Sequence, residues 1–170
     1  MNPAPLIGLL QRAPGVFGTL LDGLDEDSMR WRPAADKWSA LEVVCHLADE
    51  EREDFRLRLD LTLHDPARAW PGIDPPSWVG ARDYQGRAPA DAIEDFMHER
   101  AKSMIWLDSL EAPAWDNAYD HPSLGPLKAG DLLTSWAAHD LLHLRQLTAL
   151  RFHHVAETAA PYTPDYAGPW

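Results

Sequence analysis

Apolar side chains recur along the first 24 residues at Leu6, Leu9, Leu10, Val16, Phe17, Leu20, Leu21 and Leu24. That spacing predicts an amphipathic helix over 5–24. Pro14 and Gly15 fall inside it and predict a kink or an early break. A polar connector, DEDSMRWRPAADK, follows, with Arg32 held extended by Pro33. The second helix has a sharper start. Ser39-Ala40-Leu41-Glu42 places a hydroxyl three residues before a carboxylate, the spacing of a capping box. Its apolar stripe then runs through Leu41, Val44, Leu47, Phe55 and Leu59 to Leu63.

From His64 to Ala88 the pattern stops. Pro66, Pro71-Gly72, Pro75-Pro76, Gly80 and Gly86 predict a long loop, and Trp70, Trp78 and Tyr84 mark it as an ordered cover rather than a loose linker. A third helix opens at Pro89 and continues through Ile93, Phe96, Met97, Met104, Trp106 and Leu107 to Leu110. A second loop, EAPAWDNAYDHPSLGPLKAG, leads to a fourth helix from Asp131 to Phe152. Residues 153–170 show no periodicity and are expected to lie along the surface. Four helices, no strand-like alternation and no internal repeat predict an all-α four-helix bundle with two long connecting loops, a single domain spanning 1–170 with its core over 5–152.

Composition narrows the function. No apolar run approaches the roughly 20 residues that span a bilayer, so no membrane partner is expected. The N-terminus has no early positive charge before its apolar run, which predicts no signal peptide and a cytoplasmic protein. The net charge is -12 and the 15 Lys and Arg are scattered, which argues against nucleic acid as a partner. The single cysteine, Cys45, excludes an internal disulfide and a cysteine-rich zinc site. Cys45 reads as a small buried hydrophobe, with a nucleophilic role beside His46 as the alternative.

The candidate chemistry lies in the histidines. On the fourth helix Leu132, Trp136, His139, His143, Leu147 and Leu150 fall on one stripe, so both imidazoles point inward with Trp and Leu. On the second helix His46 lies in the apolar stretch, with Val43, Glu50 and Glu53 near it on the wheel. Three imidazoles from two helices would bind a divalent metal and leave one side open, the arrangement of a catalytic rather than a structural site. Imidazole suits Zn, Ni, Cu or Fe, with zinc and nickel the first expectation. Glu42 reads as the capping-box residue. Glu50, one turn after His46, is either a proton shuttle or ligand-orienting group, or a solvated member of the run ADEERED. Gln146 is placed at the pocket or at a helix contact. Asp140 would pair with Arg145 or a ring N–H, or serve as the ligand of an HD-type phosphohydrolase dyad with His139. The remaining histidines, His64, His98, His121, His153 and His154, fall in loops, on a polar face or in the tail; His98-Glu99 starts like a zincin motif, but Lys102 stands where its second His belongs.

The segment RWRPAADKWSALEVVCHLADEE, followed toward the C-terminus by LLTSWAAHDLLHLRQL, resembles the DinB-like (DinB/YfiT-type) superfamily of metalloenzymes. The likeness rests on Trp38-Ser39, Glu42, His46-Leu47, His139-Asp140, His143 and Gln146. It implies a four-helix bundle, a homodimer, and a divalent metal on His46, His139 and His143, the same three residues the helical wheels select. It also implies chemistry on a small-molecule substrate. Relatives include transferases that use a low-molecular-weight thiol such as bacillithiol, mycothiol or glutathione, and the leading expectation is therefore thiol-dependent S-transfer to a small electrophile, with Trp38, Trp78 and Tyr84 as pocket walls. Arg32, Arg82 and Arg145 are candidates to meet the carboxylates of such a thiol. A metal-dependent hydrolase of a small ester, amide or phosphoester is the alternative on the same site, and a non-catalytic metal- or ligand-binding module is the alternative from another class.

Overall fold

The computed structural model describes residues 1–168. The first helix, α1 (Ala4–Leu21), buries Leu10, Ala13, Phe17 and Leu21 on one stripe and runs unbroken through Pro14. An internal proline costs roughly 3 kcal/mol through its lost hydrogen bond and ring clash. Packing on both sides of it offsets that cost: Phe17 meets Phe96 edge-on at 5.4 Å, and Leu10 is fully buried in a second cluster. The break expected at Pro14 is therefore absent. The polar connector holds a short helix, α2 (Glu26–Arg30), capped by Asp25, whose carboxylate accepts from the Ser28 N–H at 2.8 Å. Five residues are too few for a periodic signal.

The second long helix forms as its sequence predicts from Ser39 onward. The capping box is complete, with Glu42 N–H donating to Ser39 Oγ at 3.2 Å and Ser39 N–H donating to Glu42 Oε2 at 2.8 Å. Every residue of α3 (Ala40–Glu50) is buried. The chain then widens into a π turn (Glu51–Phe55) before resuming as α4 (Arg56–His64). Such turns are rare and shift the face that a helix presents.

The first connecting segment carries its own helix, α5 (Pro75–Ala81), and a 3₁₀ turn (Tyr84–Gly86). Here the paired prolines start a helix, where their missing N–H groups cost nothing. Trp78 and Tyr84 are buried against α3 residues, so the segment is the ordered cover its aromatics predict. The third long helix is α6 (Pro89–Asp108). The second connecting segment contains a hairpin, β1 (Ala118–His121) and β2 (Gly125–Lys128), paired antiparallel with Tyr119 opposite Leu127. Four-residue strands are too short to show alternation, and Gly125 makes the turn with φ +74. The last helix, α7 (Ala129–Thr158), runs past Phe152 because His154 is held on α2, its Nε2 at 3.2 Å from Ser28 Oγ.

The long helices form the expected four-helix bundle. α3 packs on α6, α1 on both α6 and α7, and α4 on α7. Two apolar clusters fill it, one around Phe17, Leu41, Val44 and Phe96, the other around Leu10, Phe55, Leu133 and Trp136. His46 borders the first through Leu47, and His139 borders the second through Trp136 and Phe55. Among the described residues no helix is long and apolar enough to cross a membrane.

Candidate metal centre

His46, from α3, meets His139 and His143, from α7, where the two clusters join. The Nε2 atoms of His46 and His139 lie 3.4 Å apart and those of His139 and His143 3.1 Å apart. One ligand nitrogen from each of the three rings falls within 4.8 Å of the others. Tetrahedral coordination at Zn–N distances of about 2.0–2.1 Å separates neighbouring nitrogens by about 3.3–3.4 Å. The two closest separations bracket that value. Three nitrogens converging this closely need protons or a cation between them, because neutral imidazole carries only one N–H.

Hydrogen bonding orients one of the rings for metal. Gln146 Oε1 accepts from His143 Nδ1 at 2.9 Å, which leaves the lone pair on Nε2 facing the cluster. Burial and the neighbouring His143 push the His46 pKa down to about 3. Burial, His143 and His46 also hold His139 far below the usual imidazole range, and burial lowers His143. At neutral pH all three rings are therefore uncharged, the form that binds metal.

Glu50 completes the inner side of the site. Its Oε1 lies 3.8 Å from His46 Nδ1, and both atoms are buried without a hydrogen-bond partner. Burial and the adjacent Asp54 carboxyl push the Glu50 pKa up to about 9, so its carboxyl is protonated at pH 7. The solvated alternative does not apply, since the side chain is 6% exposed. Trp38 stands 4.9 Å from the His46 ring and Phe55 5.0 Å from the His139 ring. An open, shallow cleft of about 480 Å³ lies beside His143 along α7 alone, formed by Leu142, Arg145, Gln146 and Ala149.

Most of the other candidates are engaged by partners of their own. The Tyr84 hydroxyl donates to Asp49 at 2.6 Å, and the Arg82 guanidinium sits 4.1 Å over Trp78 while pairing with Asp49 and Glu53 at 2.7 Å. Arg32 is held by Glu42, which thus joins capping to an ion pair. Among the described residues Arg145 forms no ion pair. Burial pushes the Cys45 thiol up to about 11, which removes the nucleophilic reading. Asp140 is fully engaged by Arg100, both oxygens accepting at 2.7 and 2.8 Å, so the HD-dyad reading loses its carboxylate. Arg100 and Glu51 were invisible as site neighbours. The available signal was Arg100 itself, a charge on the same helical stripe as Phe96, Ser103 and Leu107.

A helical bundle with three inward imidazoles defines a class of all-α folds with a metal-binding core. The DinB superfamily matches residues 9–147, and the chain belongs to that family. A Bacillus cereus protein provisionally named a metal-dependent hydrolase is 24% identical over 149 residues, covering 84% of this chain and 81% of the relative. The fold is shared with YfiT from Bacillus subtilis, described as a probable metal-dependent hydrolase with an unusual four-helix bundle topology. That structure aligns with a TM-score of 0.77 at 18% identity, over 87% of this chain and 85% of YfiT.

Proposed function

We propose that the chain is a divalent-metal-dependent enzyme, with zinc or nickel on His46, His139 and His143, acting on a small molecule that enters through the cleft beside His143. The observation that carries this reading is the convergence of the three imidazoles, with His139 Nε2 at 3.4 Å from His46 Nε2 and 3.1 Å from His143 Nε2. A divalent ion held by these three imidazoles would supply Lewis acidity and would lower the pKa of a water or thiol. Gln146 fixes the His143 ring, and Glu50 faces His46 Nδ1, where its carboxyl oxygen can take up the N–H of that ring. Protonated at neutral pH, Glu50 also holds a proton within the site. Trp38 and Phe55 flank the imidazoles and keep water from their faces.

Two nucleophiles fit this arrangement. Water, giving a hydrolase of a small ester, amide or phosphoester, is favoured by the names of the two relatives above. A low-molecular-weight thiol such as bacillithiol, mycothiol or glutathione, giving S-transfer to an electrophile, is favoured by Arg145. That side chain lines the cleft with no carboxylate partner, while Arg32 and Arg82 are already paired. The test is turnover of activated esters and of chlorodinitrobenzene by zinc- and nickel-loaded protein, with and without each thiol. Ester cleavage independent of thiol supports the hydrolase, and thiol-dependent conjugation supports the transferase. No turnover of either kind, with metal bound, contradicts the enzymatic reading.

A further inference from the structure

Beside the imidazoles lies a second buried polar cluster. Arg100, on α6, is 1% exposed, and its partners Glu51, Asp140 and Trp136 are 1%, 3% and 1% exposed. The guanidinium uses all five of its N–H donors. Nε and Nη2 donate to Glu51 Oε1 at 2.9 and 2.6 Å. Nη1 and Nη2 donate to the two oxygens of Asp140 at 2.7 and 2.8 Å, and Nη1 also donates to the Leu10 carbonyl at 2.9 Å. Glu51 Oε1 accepts a further bond from Trp136 Nε1 at 2.8 Å.

The placement of these partners is informative. Glu51 is the first residue of the π turn, directly after the helix that carries His46. Asp140 adjoins His139. Trp136 stacks on Phe55 at 5.7 Å, and Phe55 in turn touches the His139 ring. α3 itself meets α7 at few points, while its continuation through the π turn and α4 packs on α7, with Phe55 against Trp136 and His139. That packing lies on the C-terminal side of His46, and the Arg100 fork adds a polar tie between Glu51 and Asp140 close to both imidazoles. A buried ion cluster adds little net stability over well-packed apolar residues of similar volume. Stability alone therefore does not account for a guanidinium here, whereas a fixed fork geometry does.

We propose that Arg100 is a positioning residue for the metal centre: by gripping Glu51 and Asp140 on one guanidinium, it sets the separation of His46 from His139. The inference rests on the metal reading above and extends it to a residue that touches none of the ligands. Arg100→Lys keeps the charge but cannot hold both carboxylates in a planar fork. Asp140→Asn keeps the shape and weakens the α7 half of the grip.

The test is Co²⁺ titration of the full chain, read by the visible absorption of the bound ion and by chelator competition, with the fold checked by circular dichroism. Both variants are expected to bind Co²⁺ about tenfold more weakly, with a changed absorption envelope. The double variant should fall little below the weaker single one, because the two changes break one grip. Arg52→Lys, which disturbs the 2.7 Å ion pair to Asp95 between the π turn and α6, should stay within about twofold of wild type. Should Arg100→Lys fail to fold, the nearly isosteric Asp140→Asn decides. Folded variants with wild-type affinity and spectrum overturn the inference and leave the metal reading standing. Wild-type protein that binds no Co²⁺ overturns both.

Discussion

Two buried polar clusters sit side by side in this bundle and are finished to different degrees. Around Arg100 every N–H donor meets an oxygen at 2.6–2.9 Å, and of the cluster's carboxylate oxygens Glu51 Oε2 alone is left without a partner. Around the histidines, ring nitrogens face one another, and His46 Nδ1 and Glu50 Oε1 are left without partners. A guanidinium with every donor met holds its neighbours in register, while ring nitrogens that face one another mark a place where a cation fits. The contrast assigns the first cluster to geometry and the second to chemistry.

Breaking the Arg100 cluster should cost the most. Arg100→Met strands two buried carboxylates, and uncompensated buried charge of this kind costs about 3–5 kcal/mol. Urea unfolding of the metal-free variant should show that loss. A loss below about 1 kcal/mol would mean that water reaches the cluster. The histidine cluster should behave the other way, gaining from what is added. Zinc at one hundred times its dissociation constant should stabilise wild type by about 2.7 kcal/mol in a thermal melt and leave His143→Ala unmoved. An equal shift in both proteins would place the ion elsewhere.

Acidity sharpens the comparison further. His46, at about 3, and His139 titrate far below the unfolded value near 6.5 and burial lowers His143, so the unfolded chain takes up protons first as pH falls. The metal-free protein should therefore lose stability below pH 6.5, by up to about 1.4 kcal/mol per pH unit for each buried ring. Glu50 runs in the opposite sense. Its folded pKa of about 9 lies above the unfolded value, so its contribution is full below pH 4.5 and is lost as pH rises toward 9. The expected profile of the metal-free protein has a maximum near pH 6.5, and Glu50→Gln should flatten its alkaline side. A flat wild-type profile from pH 5 to 8 would contradict this account of the buried groups. The smallest effect is expected from Gln146→Ala, which frees the His143 ring to turn and should weaken zinc binding about tenfold without altering the fold. Unchanged affinity would show that packing alone orients the ring.

Much of this was legible in the chain itself. The helix start at Ser39 could be read because a capping box is a local signal, and α7 because its apolar stripe is long. The three histidines stood out because each falls on a stripe that otherwise holds Leu, Val or Trp. Features that depend on partners remote in sequence were not legible. The pairing of Arg100 with Glu51 and Asp140 joins three separate elements, and no spacing rule connects them. α1 runs through Pro14 because tertiary packing outweighs a local penalty. The short helix α5 and the hairpin lie below the length at which periodicity speaks. Trp78 and Tyr84 announced an ordered segment correctly, but their contacts to Arg82 and Asp49 depend on how that segment folds back over α3.

The central claim is that His46 shares one ion with His139 and His143. Elemental analysis of untagged protein, wild type beside His46→Ala, tests it most directly. About one equivalent of zinc or nickel in wild type, lost in a folded His46→Ala protein, is the result this account predicts. Wild-type protein that stays metal-free after reloading, or a His46→Ala variant that keeps its full equivalent, would contradict it.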